Sequence, residues 1–148
     1  MPMIKGPQKF IILIADDDED DQMMTASAFK DAGVEEPVVA ASNGEELLNY
    51  LLRQDKYADK PYDLPSLILL DLNMPKIDGR IALKEIRKNP TICKIPIVIF
   101  STSNNREDIS SSYTNGANSF ISKPSSYSEL VNMAKVIKEY WGKLVAQP

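Results

Sequence analysis

Five short apolar runs, most of them unbroken, recur along this chain at residues 10–15, 38–41, 67–70, 97–100 and 119–121. A strand with one face in water alternates apolar and polar side chains. An unbroken run has to be covered on both faces, which is the requirement of a parallel sheet. The stretches between the runs read as helices. The first, about 20–32, places Met24, Ala28, Phe29 and Ala32 on one face and stops near Gly33. The second, about 44–54, carries Leu47, Leu48, Leu51 and Leu52, and the third, about 80–88, ends before Asn89 and Pro90. The fourth, about 106–115, has only Ile109 and Tyr113 as large apolar residues and is interrupted by the poor helix formers Ser110, Ser111 and Ser112. The last, about 126–145, spaces Leu130, Ala134, Ile137, Trp141 and Leu144 helically. Five strand–helix repeats with right-handed crossovers stack into a doubly wound α/β sandwich. A chain of 148 residues is long enough for one such domain. The connection at 55–66 is longer than the others, and no second domain is expected.

Charge and composition narrow the chemistry. Residues 16–21 are Asp16, Asp17, Asp18, Glu19, Asp20 and Asp21, so one hexapeptide carries −6 while the whole chain carries −4. The rest balances 17 basic against 15 acidic residues. Such a charge disfavours a nucleic-acid binder. The chain has no histidine, which excludes Ser-His-Asp and Cys-His catalysis and imidazole-dependent zinc sites. The single cysteine, Cys93, excludes an intrachain disulfide framework and suits a reducing, cytoplasmic setting. Residues 1–7 lack the apolar core of a signal peptide, and no apolar run approaches the ~20 residues that span a bilayer.

Polar residues collect where the strands end. Asp16 and Asp17 follow the first strand, Asp71 the third, Ser101 and Thr102 the fourth, and Lys123, then Pro124, the fifth. Open α/β sheets bind ligands outside these carboxyl ends. Clustered carboxylates stay ionised only with a cation between them, and an all-oxygen donor set suits Mg²⁺. A lysine adds a point charge for phosphate, and a small hydroxyl can donate to a phosphoryl oxygen. These parts suit phosphoryl transfer. A lone Asp after a strand is more often a cap or loop residue. Asp20 and Asp21 fit that role, opposing the dipole of the first helix, and Asp18 and Glu19 read as solvated loop charges. Four such elements at four strand ends exceed what chance placement explains.

These residues carry a resemblance. The segments 12–18, 69–79, 95–102 and 116–124, in this order and spacing, resemble the receiver domain of bacterial two-component response regulators over essentially the whole chain. The resemblance implies a flavodoxin-like (βα)5 fold with a five-stranded parallel sheet of order 2-1-3-4-5, and one receiver domain over 1–148 with its core at about 9–145 and no output domain. It implies that Asp71 is the phosphoacceptor and that Asp16, Asp17 and Asp71 hold Mg²⁺ with the backbone carbonyl of Asn73. Ser101 would be the switch hydroxyl, Thr102 the small residue leaving access to Asp71, and Lys123 the phosphoryl partner, with a cis bond to Pro124. Phe120 stands where the family keeps its switch aromatic, usually tyrosine, and Ser101 stands for the commoner threonine. The implied role is regulatory rather than enzymatic: the domain catalyses only its own phosphotransfer and dephosphorylation. The donor is a partner sensor histidine kinase, since the chain has no histidine. The output passes through the fourth-helix/fifth-strand face to a downstream protein or a relay partner. The 55–66 connection, the run Ser101, Thr102, Ser103 and the tail 140–145 are similar to regulators that partner bacterial phytochromes. For Trp141, core packing competes with a homodimer contact.

Two other classes fit less well. A constitutive adaptor would not need the intact acidic pair, Asp71, Ser101 and Lys123. A Mg²⁺-dependent aspartyl phosphatase needs a second aspartate where Asn73 stands, and a flavin phosphate would be repelled by the acidic hexapeptide.

Overall fold

The computed structural model describes residues 9–59 and 63–146. The N-terminal segment 1–7 and the middle of the 55–66 connection lie wholly or partly outside these. Five parallel strands, β1 (Ile12–Ala15), β2 (Val39–Ala41), β3 (Leu67–Leu70), β4 (Ile97–Ser101) and β5 (Ser119–Ser122), form one sheet in the order β2-β1-β3-β4-β5. They alternate with α1 (Glu19–Asp31), α2 (Gly44–Leu52), α3 (Gly79–Lys88), α4 (Arg106–Thr114) and α5 (Tyr127–Glu139). A short 3-10 turn, Asp55–Tyr57, begins the longer connection, and a π-helical turn, Tyr140–Leu144, extends α5. This is the flavodoxin-like order expected from the sequence. Among the described residues no helix is long and apolar enough to cross a membrane.

The unbroken apolar runs are explained by two cores. Leu13, Ile68, Leu70, Ile97 and Ile99 pack with Leu47 and Leu51 of α2 and Leu83 and Ile86 of α3. Ile12, Ile14, Leu67, Leu69 and Val98 pack on the other face with Phe29 of α1 and Leu130 and Ile137 of α5. Every residue of β1, β3 and β4 is buried, whereas the edge strands β2 and β5 are only partly covered. Burying one such Leu or Ile side chain stabilises by about 1.5–3 kcal/mol, so the central strands anchor the fold.

Several local expectations change. Met24 is exposed, and Thr25 takes the inward position on α1 beside Ala28 and Phe29. Leu144 is 75% exposed because the π-helical turn rotates it off the α5 face, while Trp141 remains packed on the second core. Asp18 is exposed, as expected of a solvated charge, and in addition serves as the N-cap of α1, accepting from the Asp21 amide. The Lys123–Pro124 bond, expected cis, is trans. Trans is the lower-energy form of an X-Pro bond by about 0.5–1 kcal/mol, and Lys123 reaches its partners from it.

Candidate functional site

The sheet order reverses between β1 and β3: the chain leaves β1 for β2 on one side and returns to β3 on the other. Such a switch point opens a crevice at the carboxyl ends of the two strands. Ladder hydrogen bonds continue one residue past each strand and hold the two aspartates there. The Asp16 amide donates to the Ala41 carbonyl and the Asp71 amide to the Ala15 carbonyl, both at 2.9 Å. Lys123 is placed the same way, its amide donating to the Ser101 carbonyl at 2.9 Å.

Carboxylate oxygens of Asp16, Asp17 and Asp71 lie within 4.8 Å of one another, with Asp16 and Asp71 buried and Asp17 exposed. The Lys123 Nζ donates to Asp16 Oδ2 at 2.7 Å and to Asp71 Oδ2 and Asp21 Oδ2 at 3.0 Å each. Burial works against the Lys123 ammonium, but hydrogen bonds to Asp16 and Asp21 and the charge of Asp71 outweigh it. The net effect holds the proton more tightly than in an ordinary lysine. For Asp16 the balance runs the other way. Burial raises its pKa above the usual aspartate value, although Lys123 and the Asp18 amide favour the charged form. Asp16 and Asp71, which share the Lys123 ammonium, and the exposed Asp17 form an anionic pocket of hard oxygen donors, the donor set that suits Mg²⁺.

The remaining expected residues surround this pocket. The Asn73 amide donates to Asp71 Oδ1 at 3.2 Å, which orients the carboxylate from its own loop. Ser101 is fully buried at the end of β4, and its hydroxyl accepts from the Ser103 amide at 3.2 Å. Thr102 is exposed beside it. Phe120 sits on β5, packed against the first core, and its amide donates to the Tyr113 hydroxyl at 3.1 Å. The approach of α3 to the site depends on Gly79: a Cβ there would lie 2.1 Å from the Asp71 carbonyl oxygen.

Two contributors were not anticipated. Asp21 faces the site through Lys123 instead of only opposing the helix dipole. Its place in the first turn of α1, just after Asp16 and Asp17, is the signal that would have found it. Gln22 donates to the Asp16 carbonyl and to Ser42 Oγ at 3.2 Å, bridging the β1 and β2 loops. An amide side chain in an acidic run carried no signal of its own.

A profile of the response regulator receiver domain matches residues 12–135. Response regulator Rcp1 of Synechocystis sp. (strain ATCC 27184 / PCC 6803 / Kazusa) is 33% identical over 142 residues, 96% of this chain and 95% of that protein. The crystal structure of the phosphorylated cyanobacterial phytochrome response regulator RcpA superposes with a TM-score of 0.87 at 37% identity, covering 95% of this chain and 99% of that one. The Mn²⁺-bound form of Rcp1 gives a TM-score of 0.83 at 33% identity, covering 93% and 98%.

Proposed function

The chain belongs to the response regulator receiver family, and from that premise we propose that Asp71 is its phosphoacceptor and that Asp16, Asp17 and Asp71 hold Mg²⁺. The convergence of Asp16, Asp17, Asp71 and Lys123 from three strand ends supports this reading most directly. A carboxylate oxygen of Asp71 attacks the phosphorus of a phosphohistidine on the partner kinase. The P–N bond breaks as the O–P bond forms, and the departing imidazole takes up a proton. Asp16, Asp17, Asp71 and the Asn73 backbone carbonyl would hold Mg²⁺, which would supply charge neutralisation at the phosphoryl oxygens. Lys123 exchanges an Asp71 oxygen for a phosphoryl oxygen. Ser101 turns to donate to another, and Phe120 repacks on β5 as it does so. Thr102, small and exposed, leaves the approach to Asp71 open. Water later attacks the phosphorus and releases phosphate, which restores Asp71, so the domain catalyses only steps on its own acyl phosphate.

The kinase is read as phytochrome-like, in line with the name of the cyanobacterial phytochrome response regulator RcpA. The receiver domain, acting in the cytoplasm, then passes its signal by contact with a downstream protein, a relay partner or a second copy. Radiolabelled phosphotransfer from purified histidine kinases tests the site, with Asp71→Asn expected to abolish labelling. Label retained in Asp71→Asn would sink the assignment. Faster transfer from phytochrome kinases than from unrelated ones is expected, and equal rates would remove the phytochrome partner alone.

A further inference from the structure

α4 has little apolar grip on the sheet, and Ser112 is its one buried residue. Its first turn is held by polar contacts instead. Arg80, in the first turn of α3, donates to Asp108 Oδ1 through Nη2 at 2.9 Å and Nε at 3.3 Å. The other oxygen of Asp108 accepts from Ser103 Oγ at 2.6 Å and from Asn105 Nδ2 at 3.2 Å. Asn105 Oδ1 in turn caps α4 by accepting from the Asp108 amide at 2.8 Å. One carboxylate therefore ties the β4–α4 connection to α3. That connection carries the Ser103 amide that occupies Ser101 Oγ. Among the described residues, Ser101 Oγ makes no hydrogen bond to Asp71, whose partners are Lys123 and the Asn73 amide.

We propose that Asp108, gripped by Arg80, is a positioning residue that keeps the Ser101 hydroxyl on its own loop and so sets how readily Ser101 turns toward a phosphoryl group. This rests on the roles proposed above for Asp71 and Ser101. The Ser103–Asp108 bond is short and charge-assisted, roughly twice as strong as a neutral one. Arg80 satisfies the second oxygen, so the carboxylate cannot swing away without losing both. While Ser103 is anchored, its amide holds Ser101 Oγ. Releasing Ser103 removes a contact that the resting arrangement uses and the phosphoryl-bound arrangement does not, which shifts the population toward the latter.

The test compares Asp108→Ala, Arg80→Ala and Ser103→Ala with Ser103→Thr, which keeps the hydroxyl, and with Glu107→Ala as a neighbouring control. Two readouts are used: amide exchange at Ser103 in the free protein, and affinity for beryllofluoride with Mg²⁺ followed by NMR. The three alanine variants should exchange the Ser103 amide faster and bind beryllofluoride about fivefold more tightly, the low end of typical coupling between sites. Ser103→Thr and Glu107→Ala should match the wild type. Lower thermal stability with unchanged Ser103 exchange and unchanged or weaker affinity overturns the proposal and leaves the cluster a structural staple. If Asp108→Ala does not fold, Ser103→Ala, the loss of one hydroxyl, decides alone. A wild type that binds no beryllofluoride refutes the Asp71 reading instead, and Ser103 exchange, which needs no phosphoryl mimic, still judges the clamp.

Discussion

Asp16 is 2% exposed, and what makes its charge tolerable is the Lys123 ammonium at 2.7 Å. A buried ion without a partner costs several kcal/mol, and a partner offsets that only when the geometry is good. Asp108 shows the opposite limit. Hydrogen bonds from Ser103 and then Arg80 favour its charged form and hold its carboxyl below the usual aspartate range. A carboxyl with a depressed folded-state pKa contributes stability above its unfolded value of about 3.9, and that contribution is lost as pH falls through the folded value. Carboxyl-carbon NMR should therefore place the Asp108 midpoint below about 3.9, and Ser103→Ala should move it upward. A wild-type midpoint at or above the ordinary value would mean that these hydrogen bonds are not kept in solution. Asp16, Asp71 and Ser101 were readable from sequence because each follows an unbroken apolar run, and Lys123 because it follows the shorter run that ends the series. Asp108 and Arg80 were not, because each is an ordinary helix charge until α3 and α4 are set side by side.

α3 meets its neighbours at close quarters, and one position at each of its ends decides how closely. At Gly79 the helix start donates its amide to the Leu72 carbonyl at 2.9 Å, leaving no room for a Cβ against the Asp71 backbone. Gly79→Ala should displace the Asp71 loop from α3, slowing phosphotransfer at least tenfold and lowering stability by about 1–3 kcal/mol, as overpacking does. Wild-type rates with altered stability alone would separate α3 docking from the site. Arg87, at the other end of α3, donates to the carbonyls of Gly116, Cys93 and Ile95 and to Asn118 Oδ1. It thereby joins α3 to the connections before β4 and β5. Arg87→Met keeps the stem but strands these acceptors, and should cost about 1–3 kcal/mol in urea unfolding while leaving phosphotransfer intact. A loss below about 0.5 kcal/mol, the ordinary range for surface changes, would show that water replaces the guanidinium. The helices were legible where an apolar face repeated, as in α2 and α5. The π-helical turn that exposes Leu144 was not, since backbone winding leaves no mark in residue spacing. The outward Met24 was missed because Met24 and Thr25 each stand one helical turn before a core residue, Ala28 and Phe29, and spacing alone does not say which of the two turns inward.

At the scale of the whole molecule, folding gathers charges that the unfolded chain keeps apart. Asp71 lies 54 residues beyond Asp17 in sequence, yet their carboxylate oxygens come within 4.8 Å. A cation that binds this set binds the folded state in preference to the unfolded one. At a hundred times its dissociation constant, such a ligand adds about 2.7 kcal/mol. For a domain of this size that corresponds to a rise in Tm of roughly 2–4 °C per kcal/mol. Monovalent salt only screens the mutual repulsion, so at equal ionic strength MgCl2 should raise the Tm clearly more than NaCl. Asp17 is the exposed member of the set, so it can be altered with little loss of packing. Asp17→Asn removes one of the repelling charges and should be at least as stable as the wild type without metal, while its Tm response to Mg²⁺ is largely lost. A variant that kept the full Mg²⁺ response would show that the cation sits elsewhere in the acidic hexapeptide and that Asp17 is only a loop charge.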